Sequence, residues 1–300
     1  MKILLTGASG MLGRYLYPLL KKDNVVTTLQ REGADICCDL AKSVPEFGNH
    51  TFDMVVHVAG TSDETEAIAL NHDGTKRLLA ALEQNPPKEF VFVSSWEVYS
   101  PDSGENVKED HPLWAATKVG QSKALAEDLL IKWSAERGMI LTILRPARMF
   151  GKGVKGEMAS LFNDVVRSRY IHVRGNESRL SIVCASDVAD IIKNIHSIGG
   201  IYNVSDGVGA TWLQLAEAMS ANAGALKRQT VLPQKWAEMA WRFASWLPAV
   251  RASLSPSVLA RRTKTLTLSN DLLLDKMHDW KPFHAIDVIS RECNEYPYKD

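Results

Sequence analysis

Three glycines set the first chemical constraint. Gly7, Gly10 and Gly13 fall in Gly7-Ala8-Ser9-Gly10-Met11-Leu12-Gly13, between the apolar run Lys2–Thr6 and an amphipathic stretch starting at Met11. A strand that turns through glycine into a helix gathers backbone N–H groups and the positive helix end at one point, where a diphosphate is favoured. Glycine lets the backbone approach the phosphates. The spacing is Gly-x-x-Gly-x-x-Gly rather than Gly-x-Gly-x-x-Gly, but its place between strand and helix predicts a dinucleotide site. The second apolar run ends at Leu29-Gln30-Arg31. A carboxylate there would hydrogen-bond the 2′-hydroxyl of NAD. An amide and a guanidinium stand there instead, and Arg31 suits a 2′-phosphate. The cofactor expected is NADP or NAD, with NADP favoured.

The elements that must position this loop are legible as alternation. Lys2–Thr6, Val25–Leu29, Met54–Val58, Phe90–Ser94 and Met139–Leu144 read as buried strands. Met11–Lys22, Glu64–Gln84 and Thr117–Arg137 read as helices between them. The pattern implies an α/β fold, a Rossmann doubly wound parallel sheet. Residues 1–150 are expected to form the dinucleotide-binding domain, completed by a later strand at Gly200–Val204. Residues 151–300 are expected to form mostly a smaller C-terminal substrate lobe, with helices over Glu157–Arg169, Thr211–Ala223 and Trp236–Val250.

Further motifs follow in order along the chain: Cys38-Asp39-Leu40, Val56-His57-Val58-Ala59-Gly60, Asn71-His72-Asp73-Gly74-Thr75, Ser94-Ser95-Trp96-Glu97-Val98-Tyr99, Leu144-Arg145-Pro146 with Phe150-Gly151, and Ser186-Asp187-Val188-Ala189. With the loop Thr6–Gly13 they make the chain resemble the NAD-dependent epimerase/dehydratase family of extended short-chain dehydrogenases, from Met1 to about Asn203. Trp280-Lys281-Pro282 is a fainter echo of the family's C-terminal Gly-Trp-x-Pro. The resemblance implies a cofactor surface of Thr6, Gly7, Gly10, Met11, Leu12 and Gly13, with Asp39 and Leu40 at the adenine. Val58, Ala59, Gly60, Asn71, Lys123 and Pro146 would complete it toward the nicotinamide. It also implies a nucleotide-sugar or other carbonyl or alcohol substrate.

The family's reaction centre pairs a Ser or Thr with Tyr-x-x-x-Lys. The resemblance makes Ser95 the hydroxyl partner and Lys123 the lysine, since Gly120, Ser122 and Glu127 then match Tyr-Gly-x-Ser-Lys-x-x-x-Glu. Trp114 with Lys118 is the competing register. Neither contains a tyrosine, and in the preferred one Val119 stands in its place. Valine exchanges no proton, and general acid–base assistance contributes roughly 10²–10⁴-fold. The ordinary redox step is therefore expected to be impaired unless another side chain substitutes. Glu97 is the first candidate, since sugar-nucleotide dehydratases carry Asp-Glu where this chain has Trp96-Glu97. Tyr99 is expected to be structural and His111 solvated. A non-catalytic NAD(P)-binding regulatory or interaction module is the alternative.

Lys+Arg and Asp+Glu balance at 35 each, giving no electrostatic reason for nucleic acid. Cys37, Cys38, Cys184 and Cys293 contain no C-x-x-C pair and read as reduced thiols in a cytoplasmic protein. No metal site, signal peptide or membrane span is expected. A homodimer stays open. The tryptophan-rich Trp236–Pro248 is expected to pack as an amphipathic helix, with a substrate lid as the functional reading. Arg251, Arg261, Arg262 and Lys264 are expected to form a solvated basic face.

Overall fold

The computed structural model describes residues 1–100, 104–222, 229–233 and 262–284, with 235, 236, 239, 286, 287 and 289. The chain runs β1 (Lys2–Thr6), α1 (Met11–Lys21), β2 (Val25–Gln30), β3 (Ile36–Cys37), β4 (Met54–His57), α2 (Asp73–Leu82) and β5 (Glu89–Val93). A short β6 (Gly104–Val107), the long α3 (Lys118–Arg137) and β7 (Ile140–Pro146) follow. Next come β8 (Arg148–Phe150), α4 (Gly156–Val166), β9 (Ile171–Val173), β10 (Arg179–Leu180), β11 (Ile182–Cys184), α5 (Ala185–Asn194) and β12 (Gly200–Val204). β13 (Ala210–Thr211), α6 (Trp212–Asn222), β14 (Thr230–Leu232) and β15 (Leu266–Leu268) complete the described strands.

Seven strands form the central sheet in the order β3-β2-β1-β4-β5-β7-β12, every pair parallel. This is the doubly wound Rossmann sheet, and its order reverses between β1 and β4. Both faces are covered, which is why the central strands are apolar throughout rather than alternating. Leu12, Leu16 and Leu20 of α1 share one core with Val188, Ile191 and Ile192 of α5. Leu78, Leu79 and Leu82 of α2 join Ala126, Leu130 and Trp133 of α3 in a core on the opposite face. A third core joins Phe150, Leu161 and Phe162 to Tyr170, Trp212 and Leu215. Small sheets accompany it: β8 pairs β11, β14 pairs β9, and β13-β10-β15-β6 ties the C-terminal part of the chain back to β6.

Two expectations need correction. The helix expected from Glu64 begins later, with a single π turn at Ile68–His72 ahead of α2. Asp63 Oδ1 accepts the Thr65 N–H at 2.8 Å and the Asn71 Oδ1 accepts the Thr61 N–H at 2.8 Å, so side chains satisfy this backbone without a helix. Arg262, expected on a solvated face, is buried beside Asp164 and between the rings of Tyr170 and Trp212. Of the tryptophan-rich stretch only Trp236 and Met239 are described, both exposed. The rest of it, together with Arg251, Arg261 and Cys293, lies outside the described residues. Among the described residues no helix is long and apolar enough to cross a membrane.

Candidate functional site

The site is built at the carboxyl ends of β1 and β4, where the sheet order reverses and a crevice opens. Gly7 has φ +75°, and a β-carbon on it would lie 2.7 Å from the Ala59 amide nitrogen. At Gly13 it would lie 2.2 Å from the Gly7 carbonyl oxygen. Gly10 differs: it is exposed, and its nearest neighbour would be Gly7 O at 3.2 Å. Gly7 and Gly13 therefore shape the loop, while Gly10 offers bare backbone outward. No side chain caps α1, so its first-turn N–H groups remain directed at the crevice. Met11 is half-buried against the third core, and Leu12 is buried in the first. This cradle fits a dinucleotide diphosphate.

Gln30 takes a part that its sequence position did not reveal. Its Oε1 accepts the Ser9 N–H at 3.0 Å and its Nε2 donates to Gly33 O at 3.0 Å, tying the glycine loop to the end of β2. Arg31 is exposed and hydrogen-bonds no described residue. Asp39 Oδ1 accepts the Ala41 N–H at 3.1 Å. Leu40 lies in the core under Gly74, its carbonyl taken by Arg77 at 2.9 Å.

A buried relay links this half of the site to α3. The Ala59 N–H donates to Thr6 Oγ1 at 3.1 Å, whose own proton points to His57 Nδ1 at 2.7 Å. Thr75 Oγ1 donates to the Asn71 carbonyl at 2.6 Å, so toward His57 Nε2, 2.9 Å away, it accepts. Burial, and then the charge of Lys123, push His57 down to about 3, so the ring is neutral. The Asn71 amide donates to Thr61 O at 3.1 Å and to Ser122 Oγ at 3.0 Å. Thr6 and His57 are register partners across β1 and β4, a pairing visible only once the sheet is formed.

On the α3 side, Lys123 is buried and donates to Val93 O at 2.8 Å. A β-carbon on Gly60 would lie 3.0 Å from its Nζ. Val58 and Ala59, half-buried, precede Gly60 in the same loop, and Pro146 ends β7 buried beside Val204 of β12. Ser95 Oγ accepts the Glu97 N–H at 3.1 Å. Thr117 caps α3: its Oγ1 accepts the Gly120 N–H at 2.9 Å and donates to Glu97 Oε2 at 2.7 Å. Gly120 packs so closely on this turn that a β-carbon would lie 2.0 Å from Glu97 O. Glu97 thus stands over the helical turn that carries Val119, and burial first of all raises its pKa. Val119 is 6% exposed yet belongs to none of the three apolar cores. Trp114, 77% exposed, precedes the helix, and Lys118 is exposed as well. The competing register faces solvent. Tyr99 donates to Asn203 Oδ1 and accepts from Arg145, each at 2.8 Å, inside a buried network.

The sequence model of the NAD-dependent epimerase/dehydratase family matches residues 3–205. The chain belongs to that family. Within it, the chain is similar to N-acetyl-alpha-D-glucosaminyl-diphospho-ditrans,octacis-undecaprenol 4-epimerase of Escherichia coli O157:H7, at 27% identity over 68% of this chain and 67% of the relative. It is 28% identical to dTDP-4-dehydrorhamnose reductase of Streptomyces griseus, over 71% of this chain and 73% of that protein. Among solved structures, RMD from Pseudomonas aeruginosa complexed with NADPH superposes with a TM-score of 0.73 at 22% identity, covering 98% of each chain. That likeness concerns the fold.

Two further features of this epimerase/dehydratase family member escaped sequence reasoning. Arg148 Nε donates to Glu157 at 2.8 Å, and its guanidinium stacks 3.6 Å from the centre of the Trp96 ring. The signal was a charged residue in an otherwise apolar stretch after Pro146. Asp187 accepts the Phe283 N–H at 3.2 Å, holding the segment after Trp280-Lys281-Pro282 against α5.

Proposed function

We propose that this protein is an NAD(P)-dependent oxidoreductase or epimerase acting on a hydroxyl or carbonyl of a sugar carried on a diphosphate, in the first place a nucleotide sugar. The observation that carries this reading is the buried Lys123 ammonium beside Gly60, on the same helix whose first turn, at Thr117 and Gly120, packs on Glu97, with Ser95 accepting the Glu97 N–H. The relatives support the substrate class, since both act on sugars activated through a diphosphate. The glycine cradle, Arg31, Asp39 and Asn71 would hold the dinucleotide, with Arg31 favouring NADP. When bound, the cofactor supplies or accepts a hydride.

Lys123 would orient the nicotinamide ribose and Ser95 the substrate oxygen. Val119 removes the phenol that family members use, so the proton needs another carrier. We assign it to Glu97: in reduction its carboxyl gives a proton to the substrate oxygen and becomes carboxylate, and in oxidation the reverse occurs. Its elevated pKa and its hydrogen bond from Thr117 suit that exchange.

The test follows reduced-nicotinamide absorbance, and sugar epimers by NMR, with UDP-glucose and UDP-N-acetylglucosamine and each cofactor. Turnover should fall roughly 10²–10⁴-fold in Glu97→Gln with cofactor affinity unchanged. Lys123→Met should lose both. A wild type that binds NADP tightly and turns over no sugar would favour the non-catalytic module.

A further inference from the structure

We infer that Arg148 is a binding site for an oxyanion, carboxylate or phosphoryl, carried by the substrate. The inference rests on the reading of this crevice as a substrate-handling centre. Arg148 lies on β8, two residues beyond Pro146, and its side chain is 9% exposed. Trp96, which follows Ser95 directly, covers one face of the guanidinium at 3.6 Å, and Trp212 of α6 lies 5.8 Å away. Glu157 of α4 holds Nε. Arg148 therefore bridges the serine-bearing turn and the third core, where the cleft between them must run.

Its two Nη groups hydrogen-bond no described residue, and neither is among the fully enclosed unpartnered atoms, so that edge stays accessible from outside. Arg145, also buried, shows the contrast. Its Nε and Nη2 go to Glu127, and its Nη1 goes to Tyr99 and Glu109 O. A buried guanidinium normally has its donors satisfied, and one pinned at Nε and flattened on an indole presents a fork matched to two oxygens. Two carboxylates bear on this charge: Glu157 is paired with it at Nε, and Glu97 feels it while burial raises the Glu97 pKa. The pairing at Nε leaves the Nη edge without a carboxylate among the described residues.

Calorimetry on the full chain saturated with NADPH tests this with UDP-glucuronate, UDP-glucose and uridine, in wild type, Arg148→Gln and Arg148→Lys. We expect Arg148→Gln to weaken the anionic ligand about ten-fold to a hundred-fold, the range of a charge-assisted hydrogen bond, with NADPH affinity unchanged. Arg148→Lys, which keeps the charge without the fork, should be intermediate, and it stands in should the glutamine variant not fold. Loss confined to UDP-glucuronate identifies a sugar carboxylate. Loss shared by both nucleotide sugars and absent for uridine identifies the diphosphate. Unchanged affinity for both nucleotide sugars in the variants overturns the site. So does a wild type that binds NADPH but neither sugar, whereas failure to bind NADPH at all would overturn the cofactor reading instead.

Discussion

Lys123 Nζ stands 3.0 Å from the point that a β-carbon on Gly60 would occupy, so a side chain at residue 60 would press on the ammonium and on Asn71 Oδ1. Burial at this position brings Lys123 down to about 8, against a weaker upward pull from Glu127. If the ammonium holds the nicotinamide ribose, NADPH affinity should fall as pH rises through about 8. Stability should move the other way. The unfolded chain keeps this proton to about 10.5, so the contribution is full above 10.5 and lost as pH falls through 8. Calorimetry of the wild type follows the first trend, while Lys123→Met, which should no longer bind NADPH, should flatten the second, measured by denaturant unfolding across this range.

The three loop glycines should separate by phenotype. Gly13→Ala puts a β-carbon against the Gly7 carbonyl and should destabilise the fold by about 1–3 kcal/mol or more. Gly10→Val, whose β-carbon would meet the Gly7 carbonyl at 3.2 Å rather than 2.2 Å, should destabilise less than Gly13→Ala yet lose dinucleotide binding, because the incoming phosphates need that space. Unchanged cofactor affinity in folded Gly10→Val would remove the cradle from the binding site.

Arg31 has no partner among the described residues, whereas Gln30 is held by the glycine loop. NADP should bind more tightly than NAD by roughly ten-fold to a hundred-fold, equivalent to about 1.5–3 kcal/mol. Arg31→Ala should abolish the difference and leave NAD affinity alone. Equal affinities in the wild type would sink the assignment.

Val119→Tyr should restore a phenol one helical turn from Lys123, whose charge would lower its pKa. Because Val119 is buried, we expect the ring to cost about 1–3 kcal/mol by thermal melting. Turnover of a nucleotide sugar should nevertheless rise, and it should become less dependent on Glu97 in the double variant. A folded variant with no gain over wild type would show that position 119 does not face the reacting oxygen.

The parallel sheet and the family were legible in the sequence alone, as were the glycines that shape the turn from β1 into α1. Each is written in short stretches: apolar runs such as Met54–His57, alternating with amphipathic helical stretches, fit strands covered on both faces. Local periodicity could not choose between Trp114-Lys118 and Val119-Lys123, because α3 buries Ser122, Lys123 and Glu127 together with Val119. Polarity does not mark its inner face. The family motif through Gly120, Ser122 and Glu127 favoured the second pair. The tertiary structure adds that Trp114 and Lys118 are exposed while Val119 and Lys123 are buried, with the Thr117 cap meeting Glu97 and Gly120 packed on the Glu97 carbonyl. The same holds for His57 between Thr6 and Thr75, and for Arg148 on Trp96. Buried polar groups must find partners wherever the fold brings them, and those partners lie far away in sequence, so only the tertiary structure decides them.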